Sequence, residues 1–95
     1  MYLRLYQFGI NANQRSTIET MAANTLNVIR AQNGCDRCEF FIDPAGENCG
    51  FLVQWTSMQA VDAAAPVIFP VLTPLLALAT AAPQIRFYEI YEPKK

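Results

Sequence analysis

The sequence contains no histidine, which removes the usual base at neutral pH and the commonest metal ligand. Charge is scarce as well: 16% of residues are Asp, Glu, Lys or Arg, against roughly 25% in an average domain. The seven basic residues are scattered and the net charge is −1, so no basic patch marks a nucleic-acid binder. So few charges cannot coat a whole surface comfortably, and part of that surface is expected to be covered. Three cysteines, an odd number, do not form a disulfide framework. Cys35 and Cys38 have CxxC spacing, but on an expected strand residues three apart point to opposite sides, about 10 Å apart. Reduced, partly buried thiols are the expectation, with no metal or other cofactor. The opening Met-Tyr-Leu-Arg-Leu-Tyr has no apolar signal-peptide core, so a cytoplasmic location is expected. No repeat, linker or low-complexity stretch is present, and residues 1–95 read as a single domain.

The organising stretch is Cys49 to Ala65. Phe51, Val53 and Trp55 alternate with Gly50, Leu52 and Gln54, the period of a strand. At Thr56-Ser57 the pattern turns to helix formers, and Thr56 with Gln59 has capping-box spacing. Before it, Tyr2 to Phe8 reads as a first strand, with Leu3, Leu5 and Gln7 in one set and Tyr2, Arg4, Tyr6 and Phe8 in the other. A helix follows over Gln14 to Gln32, with Ser16 and Glu19 as a capping box and Ile18, Met21, Ala22, Thr25, Leu26 and Ile29 on one face. Gly34 suits a left-handed helix end. Cys35 to Asp43 and Cys49 to Thr56 make a hairpin; a turn centred on Ala45-Gly46 sets Phe40 opposite Phe51, Cys38 opposite Val53 and Asp36 opposite Trp55.

Residues 63–82 carry no charge at all, long enough to suggest a membrane span. Pro66, Pro70 and Pro74 argue against one, since each removes a helical N–H at a cost of about 3 kcal/mol in a helix interior. The expectation is a break near Pro66, a second short helix from Val67 or Pro70 to Ala81, and no membrane. Gln84 to Glu92 is the last strand and Pro93-Lys94-Lys95 a frayed tail.

The order β-α-β-β-α-β predicts an α+β, ferredoxin-like protomer with both helices on one side of an antiparallel sheet. The far side of such a sheet is ordinarily polar. Here every aromatic except Phe69 falls on an expected strand. If Leu3 and Leu5 meet the helices, Tyr2, Tyr6 and Phe8 point away. That greasy face predicts a homodimer, two sheets stacked to cover it.

The line Phe-Leu-Val-Gln-Trp-Thr-Ser-Met-Gln-Ala, 51–60, is a strand ending in Trp-x-Ser-x-x-Ala. It resembles the third strand of the antibiotic biosynthesis monooxygenase family. Asn-Gly-Cys at 33–35 and Pro-Gln-Ile-Arg-Phe-Tyr-Glu-Ile-Tyr-Glu at 83–92 extend the likeness over nearly the whole chain. The resemblance implies a dimeric α/β barrel. It also implies a cleft between sheet and helices where some members oxidise electron-rich aromatics without metal or flavin. Trp55 would wall that cleft, with Phe51 beside it. Gln7 and Tyr88 would hydrogen-bond the substrate, and Arg86 and Glu89 offer a further donor or base. A histidine that many members carry falls near Ala64 here, which argues against haem chemistry. Two functions follow: a cofactor-independent monooxygenase acting on a small aromatic, quinone-forming substrate, or a non-catalytic homodimer that binds a small apolar or aromatic molecule.

Overall fold

A computed structural model describes residues 1–91 and 93. The elements are β1 (Tyr2–Gly9), α1 (Arg15–Arg30), β2 (Cys35–Ile42), β3 (Asn48–Trp55), α2 (Met58–Leu76) and β4 (Gln84–Glu89). The strands form one antiparallel sheet in the order β2-β3-β1-β4, and the two helices share a single core with one side of it. This is the expected α+β, ferredoxin-like arrangement.

The helix-covered, inner side of the sheet is set by β3, where Phe51, Val53 and Trp55 are buried. Partners across an antiparallel ladder share a side. Tyr2 lies opposite Trp55, Arg4 opposite Val53, Tyr6 opposite Phe51 and Phe8 opposite Cys49. Tyr2, Arg4, Tyr6 and Phe8 therefore face the helices, and Tyr6 and Phe8 are only 3% exposed. Leu3, Leu5 and Gln7 occupy the outer side, the reverse of the expectation. Packing decides between two apolar sets in favour of the larger: the aromatic rings of β1 fill the layer beneath the helices better than two leucines do.

The hairpin register holds for Phe40 opposite Phe51 and Cys38 opposite Val53, but Trp55 faces Cys35, not Asp36. A bulge between Cys35 and Arg37 takes up the extra residue. It also puts Cys35 and Cys38 on the same side of the strand, contrary to the simple alternation. Asp43 holds the hairpin turn. Its carboxylate accepts from the Glu47 backbone N–H at 2.9 Å and from Asn48 Nδ2 at 3.1 Å, and these bonds keep its pKa below the usual carboxylate range.

The α1 stripe of Ile18, Ala22, Thr25 and Ile29 is buried as its spacing predicts. The Ser16 box does not form, because the chain enters through a 3-10 turn at Ala12–Gln14 and arrives already coiled. Arg15 pairs with Glu19 at 3.0 Å instead. The buried Thr25 hydroxyl donates to the Met21 carbonyl at 3.1 Å, so the one polar residue in that stripe is satisfied. Gly34 does take a left-handed φ of 84°, and a Cβ there would strike the Ala60 side chain.

Ser57, not Thr56, caps α2, its hydroxyl accepting from the Ala60 N–H at 3.1 Å. The helix then runs without a break through Pro66, Pro70 and Pro74. The prolines recur every four residues, so the missing donors and the freed carbonyls lie on one stripe. That stripe is exposed, so the freed carbonyls lie where solvent can satisfy them. The opposite stripe, Val61, Ala64, Ile68, Leu72 and Leu75, is buried. By length and composition α2 is apolar enough to cross a membrane, but this stripe packs into the core. On β4 the expected strand overran: ladder pairing ends at Glu89, and Glu92, Lys94 and Lys95 lie outside the described residues.

Candidate functional site

The inner side of the sheet is mostly apolar, and two buried nitrogens without hydrogen-bond partners stand out on it. Trp55 ends β3, where the Thr56 N–H donates to the Gly34 carbonyl at 2.9 Å and the chain turns at once into α2. Its ring is 2% exposed, and the buried indole Nε1 has no acceptor. Arg4 enters from the middle of β1, one strand over. Its Nε is likewise buried without a partner. An orphaned buried donor costs about 1–3 kcal/mol, so each is a notable expense for a domain this small.

Arg4 is set among rings. Its guanidinium lies 5.1 Å from the Phe87 ring centre, and Tyr2 stacks on Phe87 at 5.6 Å with the planes 9° apart. Burial pushes the Tyr6 hydroxyl pKa up, with a hydrogen bond from Arg4 pulling against it. Among the described residues the ion pairs are Arg15–Glu19, Arg30–Glu39 and Arg37–Glu39; none involves Arg4. Cation–π attraction of about 1–2 kcal/mol leaves the buried Nε without an acceptor. Arg30 shows the contrast: it donates from Nε and Nη2 to the Cys38 carbonyl at 2.9 and 2.7 Å.

The residues singled out from sequence divide between the two sides. Trp55 and Phe51 stand together on the inner side, both buried. Gln7 and Tyr88 are on the outer side, paired with Gly50 and Leu3, so the four do not line one cleft within a protomer. The β1 reversal accounts for this, since Gln7 travels with Leu3 and Leu5. Arg86 is on the outer side too, opposite Leu5, while Glu89 is on the inner side opposite Tyr2, and both are exposed. Ala64 is 2% exposed on the packed stripe of α2.

Surface depressions occur elsewhere. One of about 270 Å³ takes in Gln7, Asn48, Thr80 and Gln84; another of about 290 Å³ runs along Arg30, Cys35, Arg37 and Glu39. Neither reaches Trp55, whose ring is packed into the core. Among the described residues no group of three acidic, histidine or cysteine side chains is placed to hold a metal. Arg4 is the residue that sequence reasoning missed. Its signal was membership of the Tyr2, Tyr6 and Phe8 set, a lone charge among rings.

This geometry sits on a fold that solved structures share along nearly its full length. A candidate antibiotic biosynthesis monooxygenase from Deinococcus radiodurans superposes with a TM-score of 0.83 at 16% identity, covering 100% of this chain and 97% of its own. Rv0793 from Mycobacterium tuberculosis gives 0.80 at 14% identity, covering 99% and 98%. A variant of SnoaB, a cofactor-independent oxygenase from Streptomyces nogalater, gives 0.76 at 20% identity, covering 97% and 94%. No family model and no curated protein sequence matches the chain. The class is thus a ferredoxin-like α+β domain. Its particular form is the fold of the antibiotic biosynthesis monooxygenases, and the resemblance read from the Trp55 corner holds at that level.

Proposed function

We propose that the protein is a cofactor-independent monooxygenase that acts, as a cytoplasmic homodimer, on a small aromatic, quinone-forming substrate. The observation that carries this reading is the pair of orphaned donors, Arg4 Nε and Trp55 Nε1, on an inner face lined with rings. The shared fold with SnoaB, itself described as a cofactor-independent oxygenase, supports it.

The chemistry asks little of the protein. A substrate methylene between electron-rich rings loses a proton, and the resulting anion gives its electrons to dioxygen. One oxygen atom becomes the new carbonyl, and the other leaves as water with the two substrate hydrogens. A fixed cation and an indole N–H favour the anion over its conjugate acid, and they act most strongly where water is excluded. Trp55 and Phe51, both packed in the ligand-free protomer, would wall a cleft that opens as the substrate enters, and Tyr2 and Phe87 would supply a stacking surface. The partner subunit docks on the outer side, where Leu5 lies opposite Leu52 and Leu3, Phe41 and Tyr88 extend the apolar patch. Gln7 and Tyr88 then belong with that interface.

One feature favours the second reading, a ligand-binding dimer without turnover: the chain has no histidine, and buried Ala64 stands near the position where the family resemblance would place an imidazole. Oxygen uptake with a panel of anthrones and hydroquinones separates the two. Consumption of one dioxygen per product, reduced at least tenfold by Arg4→Met, supports the enzyme. Saturable binding of the same compounds, with uptake no faster than their autoxidation in buffer, gives the second reading and rules out the first.

A further inference from the structure

A guanidinium makes its strongest hydrogen bonds to an anion, so a negatively charged group would best complete the site at Arg4. Among the described residues the chain supplies none. Glu19 and Glu39 are engaged with other arginines, Asp43 is tied into its turn, and Asp36 accepts from Gln54. Glu89, the acidic residue on the inner side of β4, is exposed and is in none of the ion pairs among the described residues. The unpaired donor is Nε, and Nε with its neighbouring Nη forms the side-on fork that matches the two oxygens of a carboxylate. A phenolate oxygen would meet only one prong.

Trp55 offers a second, independent donor. It pairs with Tyr2 while Arg4 pairs with Val53, which makes Trp55 and Arg4 diagonal neighbours about 7–8 Å apart at the backbone. Both are long side chains, and a carboxylate has lone pairs for both. Next to them the helices leave β4 uncovered: Ile85 is 46% exposed, and Phe87 is half-buried, so an apolar shelf opens at the sheet edge beside the cation. We infer that Arg4 and Trp55 form a carboxylate subsite and that the ligand is an aromatic carboxylate, its ring lying on the Ile85–Phe87 shelf. This rests on the reading above that the cleft is on the inner face.

The test is calorimetric titration of the whole protein with 2-naphthoate and with 2-naphthamide, a neutral molecule of the same shape. The expected result is at least tenfold tighter binding of the acid, a preference abolished in Arg4→Met and partly kept in Arg4→Lys. Trp55 is the only tryptophan in the chain, so its emission should change on saturation with the acid. A melting curve establishes that Arg4→Met is folded, and Arg4→Lys, which keeps the charge, carries the test if it is not. Equal affinity for acid and amide, an unaltered preference in Arg4→Met, or no binding of either at millimolar concentration overturns the inference. Neither probe carries an oxidisable methylene or hydroquinone, so the outcome is independent of turnover. Oxygen uptake without acid preference removes only the subsite; acid preference without uptake removes only the oxygenase.

Discussion

The guanidinium of Arg4 lies over the ring of Phe87, 5.1 Å from its centre, with its Nε buried and unpaired. Such a group is a liability to the fold unless something arrives to use it. Replacing it with a hydrophobe of similar length removes a half-buried charge with an unpaired Nε and breaks no ion pair among the described residues. Arg4→Met should therefore stabilise the ligand-free protein by about 1–2 kcal/mol, after the loss of its bond to Tyr6 is counted. For a domain of this size each kcal/mol moves the melting point by about 4–8 °C. A variant that melts lower would mean that Arg4 is there for the fold.

Trp55 combines packing and hydrogen bonding, and two substitutions separate them. Trp55→Phe keeps most of the buried ring and should cost about 1–2 kcal/mol, whereas Trp55→Ala should cost about 3–5 kcal/mol, a large share of a small domain's stability. If the indole N–H serves the ligand, Trp55→Phe lowers affinity for aromatic anions while its circular dichroism stays native. Gln7→Ala, on the far side of the sheet, should leave turnover within about twofold.

The outer patch centred on Leu5 and Leu52 gives a prediction about assembly. Both side chains are half-buried within the protomer and lie directly opposite each other. A stable dimer covers roughly 800 Å² on each partner, which this side of a four-stranded sheet can supply. Leu5→Asp should leave the fold intact, since Leu5 is not in the helix-covered core, and should shift sedimentation at micromolar concentration from dimer to monomer. Wild-type protein sedimenting as a single subunit would refute the dimer.

Much of this architecture was legible because large apolar residues declare their partners. Phe51 and Trp55 marked β3, and the Ala45-Gly46 turn placed Phe40 and Cys38 opposite the right residues. β1 was not legible by itself: both alternating sets are greasy, and the aliphatic pair Leu3 and Leu5 was the set expected to meet the helices. Only the ladder to β3 resolves that, and it carries Gln7 away from Trp55. The bulge after Cys35 is a one-residue irregularity without a propensity signal, so the two CxxC thiols were placed on opposite sides when they share one.

Those thiols make the alkaline limb of stability testable. Burial raises the pKa of Cys38 to about 12 and of Cys49 to about 11, and burial raises Cys35 and Tyr6 in the same direction. The unfolded thiols ionise near 9, so above that pH the unfolded state has bound fewer protons than the folded one and stability falls. The contribution is complete below pH 9 and is lost as pH rises through the folded values. Denaturant midpoints should be flat from pH 7 to about 8.5 and decline beyond pH 9, less steeply in Cys38→Ala. Native Cys38 and Cys49 should resist alkylation at pH 8.

Pro70 provides the sharpest test of how α2 survives its prolines. It is exposed, in mid-helix, with Pro66 one turn before it and Pro74 one turn after. If the helix persists because its buried stripe of Ile68, Leu72 and Leu75 outweighs poor backbone propensity, the proline is a cost that packing overcomes. Alanine at this position restores the N–H, which can then donate to the Pro66 carbonyl, and removes the ring clash. Pro70→Ala should raise stability by about 1–3 kcal/mol, part of the proline penalty being offset by the freer unfolded chain. The measurement is a urea midpoint at unchanged slope. A destabilised variant would mean that the proline stripe is itself a packed surface, covered by something outside the single protomer.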